Sequence, residues 1–198
     1  GEMVDAVADA LAGDRHLLVA APTGVGKTAA ALYPAMRRAL TAGKKVFFLT
    51  AKTLQQKMAI QTAKAMQRPD DPWRSLQLRA KAAMCPNAEM VCHDQVCPYA
   101  ADYAAKVKAT GIAEKLLSEF GHLDPDVIFE TARDLAICPF ELSLELRERV
   151  DLVVCDYNYV FDPRIGLVHG QQAEVLSEAV LVIDEAHNLV DRAREYYS

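Results

Sequence analysis

Short apolar runs with polar borders recur along the chain, and amphipathic stretches fill the intervals between them. Leu17-Leu18-Val19-Ala20 and Ala179-Val180-Leu181-Val182-Ile183 are too short to be buried helices and predict buried strands, the first spanning Arg15–Ala21. Lys45–Thr50 and Asp151–Cys155 carry the same signal. Helical spacing predicts helices over Glu2–Leu11, from about Lys27 to Leu40 with Pro34 as a kink, and over Thr53–Gln67. Strand and helix alternate with short connections, which predicts a parallel sheet sandwiched between helices, the α/β class.

Arg68-Pro69-Asp70-Asp71-Pro72-Trp73 breaks this alternation, and it resumes only at Asp151. Between them no convincing sheet strand is visible. Helical patterns lie at about Tyr99–Ala109, Ile112–Phe120, Pro125–Ile137 and Phe140–Arg149, with Asp124 as N-cap and Pro125 in the first helical position of the third. The expected organisation is one α/β domain formed by residues 1–75 and 150–198, interrupted by an insertion over 76–149. So small an insertion has little core of its own, which favours a covalent or metal staple.

The chemistry gathers behind the strands. Ala21-Pro22-Thr23-Gly24-Val25-Gly26-Lys27-Thr28 follows the first apolar run and precedes a helix. Glycines allow a sharp turn that brings bare N–H groups close to phosphate oxygens, and the helix N-terminus adds partial positive charge. Lys27 adds a full charge, and the Thr28 hydroxyl can hold Mg²⁺. The position that is usually the opening glycine is Ala21. The last apolar run ends in Asp184-Glu185-Ala186-His187, which sets a carboxylate for Mg²⁺ and a second one to polarise water beside the first loop. The pair predicts hydrolysis of a nucleoside triphosphate.

Four cysteines lie in the insertion as Cys85-x₆-Cys92-x₄-Cys97-x₄₀-Cys138. Disulfides sit poorly with a nucleotide-hydrolysing core in a reducing cytosol. Zinc, with His93 as a substitute ligand, is one option, although zinc sites bring closely spaced cysteine pairs that are lacking here. An iron–sulfur cluster tolerates the looser spacing and the proline after Cys85, Cys97 and Cys138. Unligated cysteines are the remaining alternative. Cys155, inside an apolar strand, reads as a buried inert thiol.

Net charge is −5, but residues 37–81 hold eleven Lys and Arg against two Asp, so one region can attract a polyanion. Thr50, Lys52, Thr53 and Gln55, just past the second strand, are the candidate phosphate contacts for a nucleic-acid strand, with Thr53 alternatively a helix N-cap. Tyr99, Tyr103, Tyr157 and Tyr159 are candidates for stacking on unpaired bases, or for packing. No run approaches the ~18 apolar residues of a membrane span. The start at Gly1, directly in a helix, reads as a piece of something longer.

The motifs at 21–28, 48–55, 155–163 and 184–187, in this order and around the four-cysteine insertion, resemble the iron–sulfur DNA helicases of superfamily 2, the XPD/DinG family. That resemblance implies a P-loop NTPase fold of the RecA-like kind. It implies ATP and Mg²⁺ held by Thr23, Gly24, Val25, Gly26, Lys27, Thr28 and Asp184, with Lys27, Asp184, Glu185 and His187 as catalytic residues. A 4Fe–4S cluster on Cys85, Cys92, Cys97 and Cys138 is implied likewise. So are a single-stranded or forked duplex DNA partner, 5′→3′ travel, and a second motor domain and an arch domain elsewhere in the full protein. Residues 156–163 resemble the bacterial branch, implying a cytoplasmic, nucleoid-associated setting. The competing expectation is a non-motor module, stapled by a cluster or by zinc, that binds nucleotide or DNA without productive turnover.

Overall fold

The computed structural model describes residues 1–22, 26–68, 70, 72–162, 164 and 178–196. In chain order the helices are α1 (Glu2–Ala12), α2 (Lys27–Ala42), α3 (Thr53–Met66), α4 (Tyr103–Thr110), α5 (Ile112–Glu119), α6 (Pro125–Asp134), α7 (Pro139–Arg147), α8 (Asn158–Phe161) and α9 (Leu189–Tyr196). The strands are β1 (Lys45–Leu49), β2 (Ser75–Gln77), β3 (His122–Leu123), β4 (Leu152–Cys155) and β5 (Ala179–Ile183). The chain divides into two compact units, Gly1–Asp71 with Asp151–Ser198, and Pro72–Val150.

In the first unit β1 is central, parallel to β4 on one side and β5 on the other. Its residues Val46, Phe47, Phe48 and Leu49 are all buried, as a strand covered on both faces requires. Each such side chain contributes about 1.5–3 kcal/mol on leaving water. In α2 the buried set Leu32, Ala35, Met36 and Ala39 recurs at helical spacing. This helix packs against α1, β1 and β5, while α3 packs against α2 and β4. Gly43, in the left-handed region at φ 64°, ends α2, and the Lys44 N–H closes the turn onto Ala39 at 2.9 Å.

The expected first strand differs. Arg15–Ala21 forms no strand, and Leu18 is 92% exposed. Apolarity marks a segment as suited to burial but supplies no ladder partner, and the pairings of β1 are made with β4 and β5 instead. β5 forms where expected, yet it is only partly buried, with Leu181 exposed.

The second unit holds a strand pair that the sequence hides: β2 and β3 are parallel, with Ser75 opposite His122 and Leu76 opposite Leu123. Runs of three and two residues are too short to show a period of two. This unit also has a real core, correcting the expectation of little. Leu76, Met84, Ile112, Leu116, Leu123, Ile128, Leu142 and Leu146 are buried to 1% exposure or less. The entry to α6 is built as expected: the Asp124 carboxylate accepts the Asp126 N–H at 2.9 Å and Pro125 opens the helix. Pro139 opens α7 in the same way, one residue before the expected start.

Candidate functional site

Register places the chemistry of the first unit. Leu49 stands level with Cys155 and with Ile183, so Thr50, Asp156 and Asp184 all leave the sheet at one carboxyl edge. Two backbone bonds extend the ladder there: the Thr50 N–H donates to Cys155 at 3.0 Å and the Asp184 N–H to Leu49 at 2.9 Å. Ligands of parallel sheets bind at this edge.

The N-terminus of α2 faces the same group. Gly26, its N-cap, has φ 77°, a left-handed conformation that glycine adopts without strain. Lys27 donates from Nζ to the Ala21 carbonyl at 3.0 Å, across the expected phosphate loop, and Thr28 is half-buried in the first turn. Thr23, Gly24 and Val25 lie outside the described residues. Burial pushes the Asp184 carboxyl up and the Glu185 charge pushes it further. The Glu185 N–H and the Lys27 ammonium oppose this, leaving it above the ordinary aspartate range. Lys27 and Asp184 therefore share one electrostatic neighbourhood.

Glu185 sits in the left-handed region at φ 52°, and its Oε2 lies 3.4 Å from His187 Nδ1. Tyr157, 0% exposed, donates its hydroxyl to the carbonyl of Asp184 and, at 3.2 Å, to that of Glu185. Asn188 Nδ2 donates to the same Glu185 carbonyl at 3.1 Å. The sequence reading missed this clamp, whose only signal is a tyrosine two residues past the end of β4. The clamp corrects the stacking expectation, because Tyr157 and Tyr159 are both buried and unavailable to a base.

Thr50 is likewise no phosphate contact: it is fully buried and its hydroxyl donates to Gln55 Oε1 at 2.6 Å. Thr53 is not the N-cap of α3; Lys52 is, and no side chain caps that helix. Lys52 and Thr53 themselves are exposed. A helix N-terminus and a lysine suit polyphosphate, and an adjoining pair of carboxylates suits a divalent cation and an attacking water.

In the second unit Cys85, Cys92, Cys97 and Cys138 all line one cavity of about 310 Å³, together with Lys81, Tyr99, Tyr103 and Phe140. His93 lies outside that lining, and its Nδ1 accepts the Gln95 N–H at 3.2 Å. Burial raises the Cys97 thiol, but the Asn87 amide at 3.2 Å, the Ala100 and Tyr99 N–H groups and the Lys106 ammonium outweigh it and hold the thiol below its ordinary value. Cys138 caps the N-terminus of α7; burial raises its thiol more than the Glu141 and Phe140 N–H groups lower it. Among the described residues no three His, Cys, Asp or Glu side chains converge tightly enough for a single metal ion. Tyr103, expected to stack or pack, donates its hydroxyl to Glu145 Oε2 at 2.9 Å. Cys155 is fully buried, as expected.

A parallel sheet with charged groups gathered at its carboxyl edge, beside the N-terminus of α2, defines the α/β class that binds nucleotides there. Residues 50–198 match the DEAD_2 family, and residues 4–87 match the DEAD/DEAH box helicase family. The chain belongs to the DEAD_2 family. It is similar to the Fanconi anemia group J protein homolog of Gallus gallus, 37% identical over 76 residues that make up 38% of this chain and 6% of that protein. It is similar also to the Regulator of telomere elongation helicase 1 homolog of Anopheles gambiae, 34% identical over 73 residues, 37% of this chain and 7% of that one. The matched segments thus span only a small share of these relatives. Two solved structures share its fold: XPD_Helicase, with a TM-score of 0.66 at 22% identity over 98% of this chain and 33% of that one, and Truncated XPD, with 0.63 at 23% identity over 97% and 53%. No helix among the described residues is long and apolar enough to cross a membrane.

Proposed function

We propose that this chain is the ATP-binding first motor domain, with an iron–sulfur unit, of a DNA helicase that hydrolyses ATP to travel 5′→3′ on single-stranded DNA. The observation that carries the reading is the level register of β1, β4 and β5, which brings Thr50, Asp156 and Asp184 out at one carboxyl edge. On this reading residues 23–26 and Lys27 bind the phosphates, and Thr28 and Asp184 hold Mg²⁺, which supplies charge neutralisation at the transferred phosphoryl group. Glu185 takes a proton from the attacking water, and His187, beside it, passes the state of the site to the rest of the motor. The second motor domain and the arch domain belong to the full-length protein, whose substrate is single-stranded or forked DNA in a cytoplasmic, nucleoid-associated setting.

The division Gly1–Asp71 with Asp151–Ser198, and Pro72–Val150, corresponds on this reading to the motor domain and the inserted cluster domain. Cys85, Cys92, Cys97 and Cys138 hold a 4Fe–4S cluster. What supports the reading is that all four cysteines line one cavity and that thiolates are the ligands such a cluster takes. The cluster supplies a rigid covalent cross-link between loops that are far apart in sequence.

Lys27→Ala in the full-length protein is expected to lower DNA-stimulated ATPase by at least about a hundredfold while leaving about four irons per chain. Unchanged turnover removes the phosphate role, and stoichiometric zinc without iron reverses the cluster assignment. Nucleotide binding without any turnover, with and without single-stranded DNA, makes the chain a non-motor binding module instead.

A further inference from the structure

We propose that Tyr157 is a positioning residue of the nucleotide site, whose hydroxyl sets the direction of the Asp184 and Glu185 carboxylates by gripping their backbone. The inference rests on the ATPase reading above and deepens it. Tyr157 leaves the end of β4, yet its hydroxyl is spent on the carbonyls of residues 184 and 185, at the end of β5. The two strands are not neighbours; β1 lies between them. A phenol long enough to span that gap ties the outer strands together at the edge where the ligand is expected.

What it ties is a turn that needs holding. Glu185 has φ 52°, which a residue with a Cβ keeps only when its surroundings enforce it. Two adjacent like charges on that turn also repel each other. The Glu185 carbonyl takes three donors, the Tyr157 hydroxyl, Asn188 Nδ2 and, at 3.0 Å, the Asn188 N–H, so the peptide plane between residues 185 and 186 is held in place. The Asp184 N–H is fixed in turn by Leu49. With the backbone pinned at three points, the two carboxylates have little freedom beyond their own side-chain rotation. Tyr157 touches neither carboxylate, so it acts through them and not on the ligand.

Filling the core is the competing role for a buried aromatic, and Tyr157→Phe separates the two because the ring remains. A comparison comes from the end of α9, where the Tyr196 hydroxyl donates to Asn158 Oδ1, next to Tyr157 in the chain, at 2.6 Å and reaches neither acidic residue. In the full-length protein, Tyr157→Phe is expected to lower kcat of DNA-stimulated ATPase about tenfold, with KM for ATP within about twofold. Titration with a fluorescent ADP is expected to show the Mg²⁺-dependent gain in affinity reduced about fivefold and the Mg²⁺-free affinity unchanged. Tyr196→Phe is expected to match wild type in both. Wild-type kcat and a wild-type Mg²⁺ gain in Tyr157→Phe overturn the inference. Should that variant not fold, Asn188→Ala, which removes the other side-chain donor to Glu185 and keeps the Asn188 N–H, decides by the same two readouts. If the wild-type protein itself has no ATPase, the motor reading fails, and the Mg²⁺-dependent ADP binding alone still decides the clamp.

Discussion

Asp162 shows how a single charge is kept in a buried place. The Arg164 guanidinium donates to both of its oxygens at 3.1 Å and the Arg164 N–H adds a third bond at 2.8 Å, holding the carboxyl below the usual aspartate range. A carboxyl that ionises more readily when folded stabilises the chain above the ordinary aspartate range, and that contribution is lost as pH falls through its lowered folded value. Asp162→Asn is therefore expected to lower Tm by a few degrees at neutral pH and hardly at all in strong acid. The shift stays small because Arg164 is mostly exposed. Thermal melts across that range check it; an equal shift at both ends would assign the effect to shape and not to charge. Residues of this kind are illegible in a sequence, since Asp-x-Arg is common on solvated loops. Lys27 and Asp184 were legible because glycine spacing and a strand-end acid each have a local chemical reason.

At the level of elements, α4 matters more to the cysteine cavity than its own weak patterning suggests. Its Lys106 donates to the Pro98 carbonyl at 2.6 Å and to the Ala136 carbonyl at 2.9 Å. One acceptor adjoins Cys97 and the other lies two residues before Cys138, so a single ammonium straps together two loops whose acceptors are 38 residues apart in the chain. Ala136 is itself left-handed at φ 52°, a conformation that the strap helps to hold. Lys106→Met keeps the aliphatic stem and deletes both bonds. If the proposed cluster is bound at the four cysteines, it is expected to speed loss of iron to a chelator roughly tenfold, read as bleaching of the visible absorbance, with Lys106→Arg intermediate. Equal bleaching rates would show that the four thiolates alone hold the loops. Elements themselves were largely readable. The helices α1, α2, α3 and α6 begin within a residue or so of where caps and periodicity put them. The β2–β3 pair was not readable, because its strands are too short to display a period and pair across 47 residues.

Across the molecule, charge is unevenly spread. Arg37, Arg38, Lys52, Lys57, Lys64 and Arg68 are all exposed, while the chain as a whole is net negative. If these side chains contact a DNA strand, each phosphate contact adds about 0.7 to the slope of log affinity against log salt for single strands. Three such contacts in the full-length protein give a slope near −2 by the same rule, and fluorescence anisotropy over a salt series measures it. A flat profile would remove the basic segment from the DNA path.

The amino-acid order alone settled the α/β class, and it supplied the insertion, the four cysteines and the two charged motifs as candidates. Each of these depends on neighbours within a turn or a strand, where propensity and spacing act directly. Only the folded chain decided which edge each strand joins, that Thr50, Tyr157 and Tyr159 turn inward, and that Tyr157 grips the acidic turn from two strands away. Those outcomes depend on register and burial between segments more than twenty residues apart, and local patterning carries no term for them.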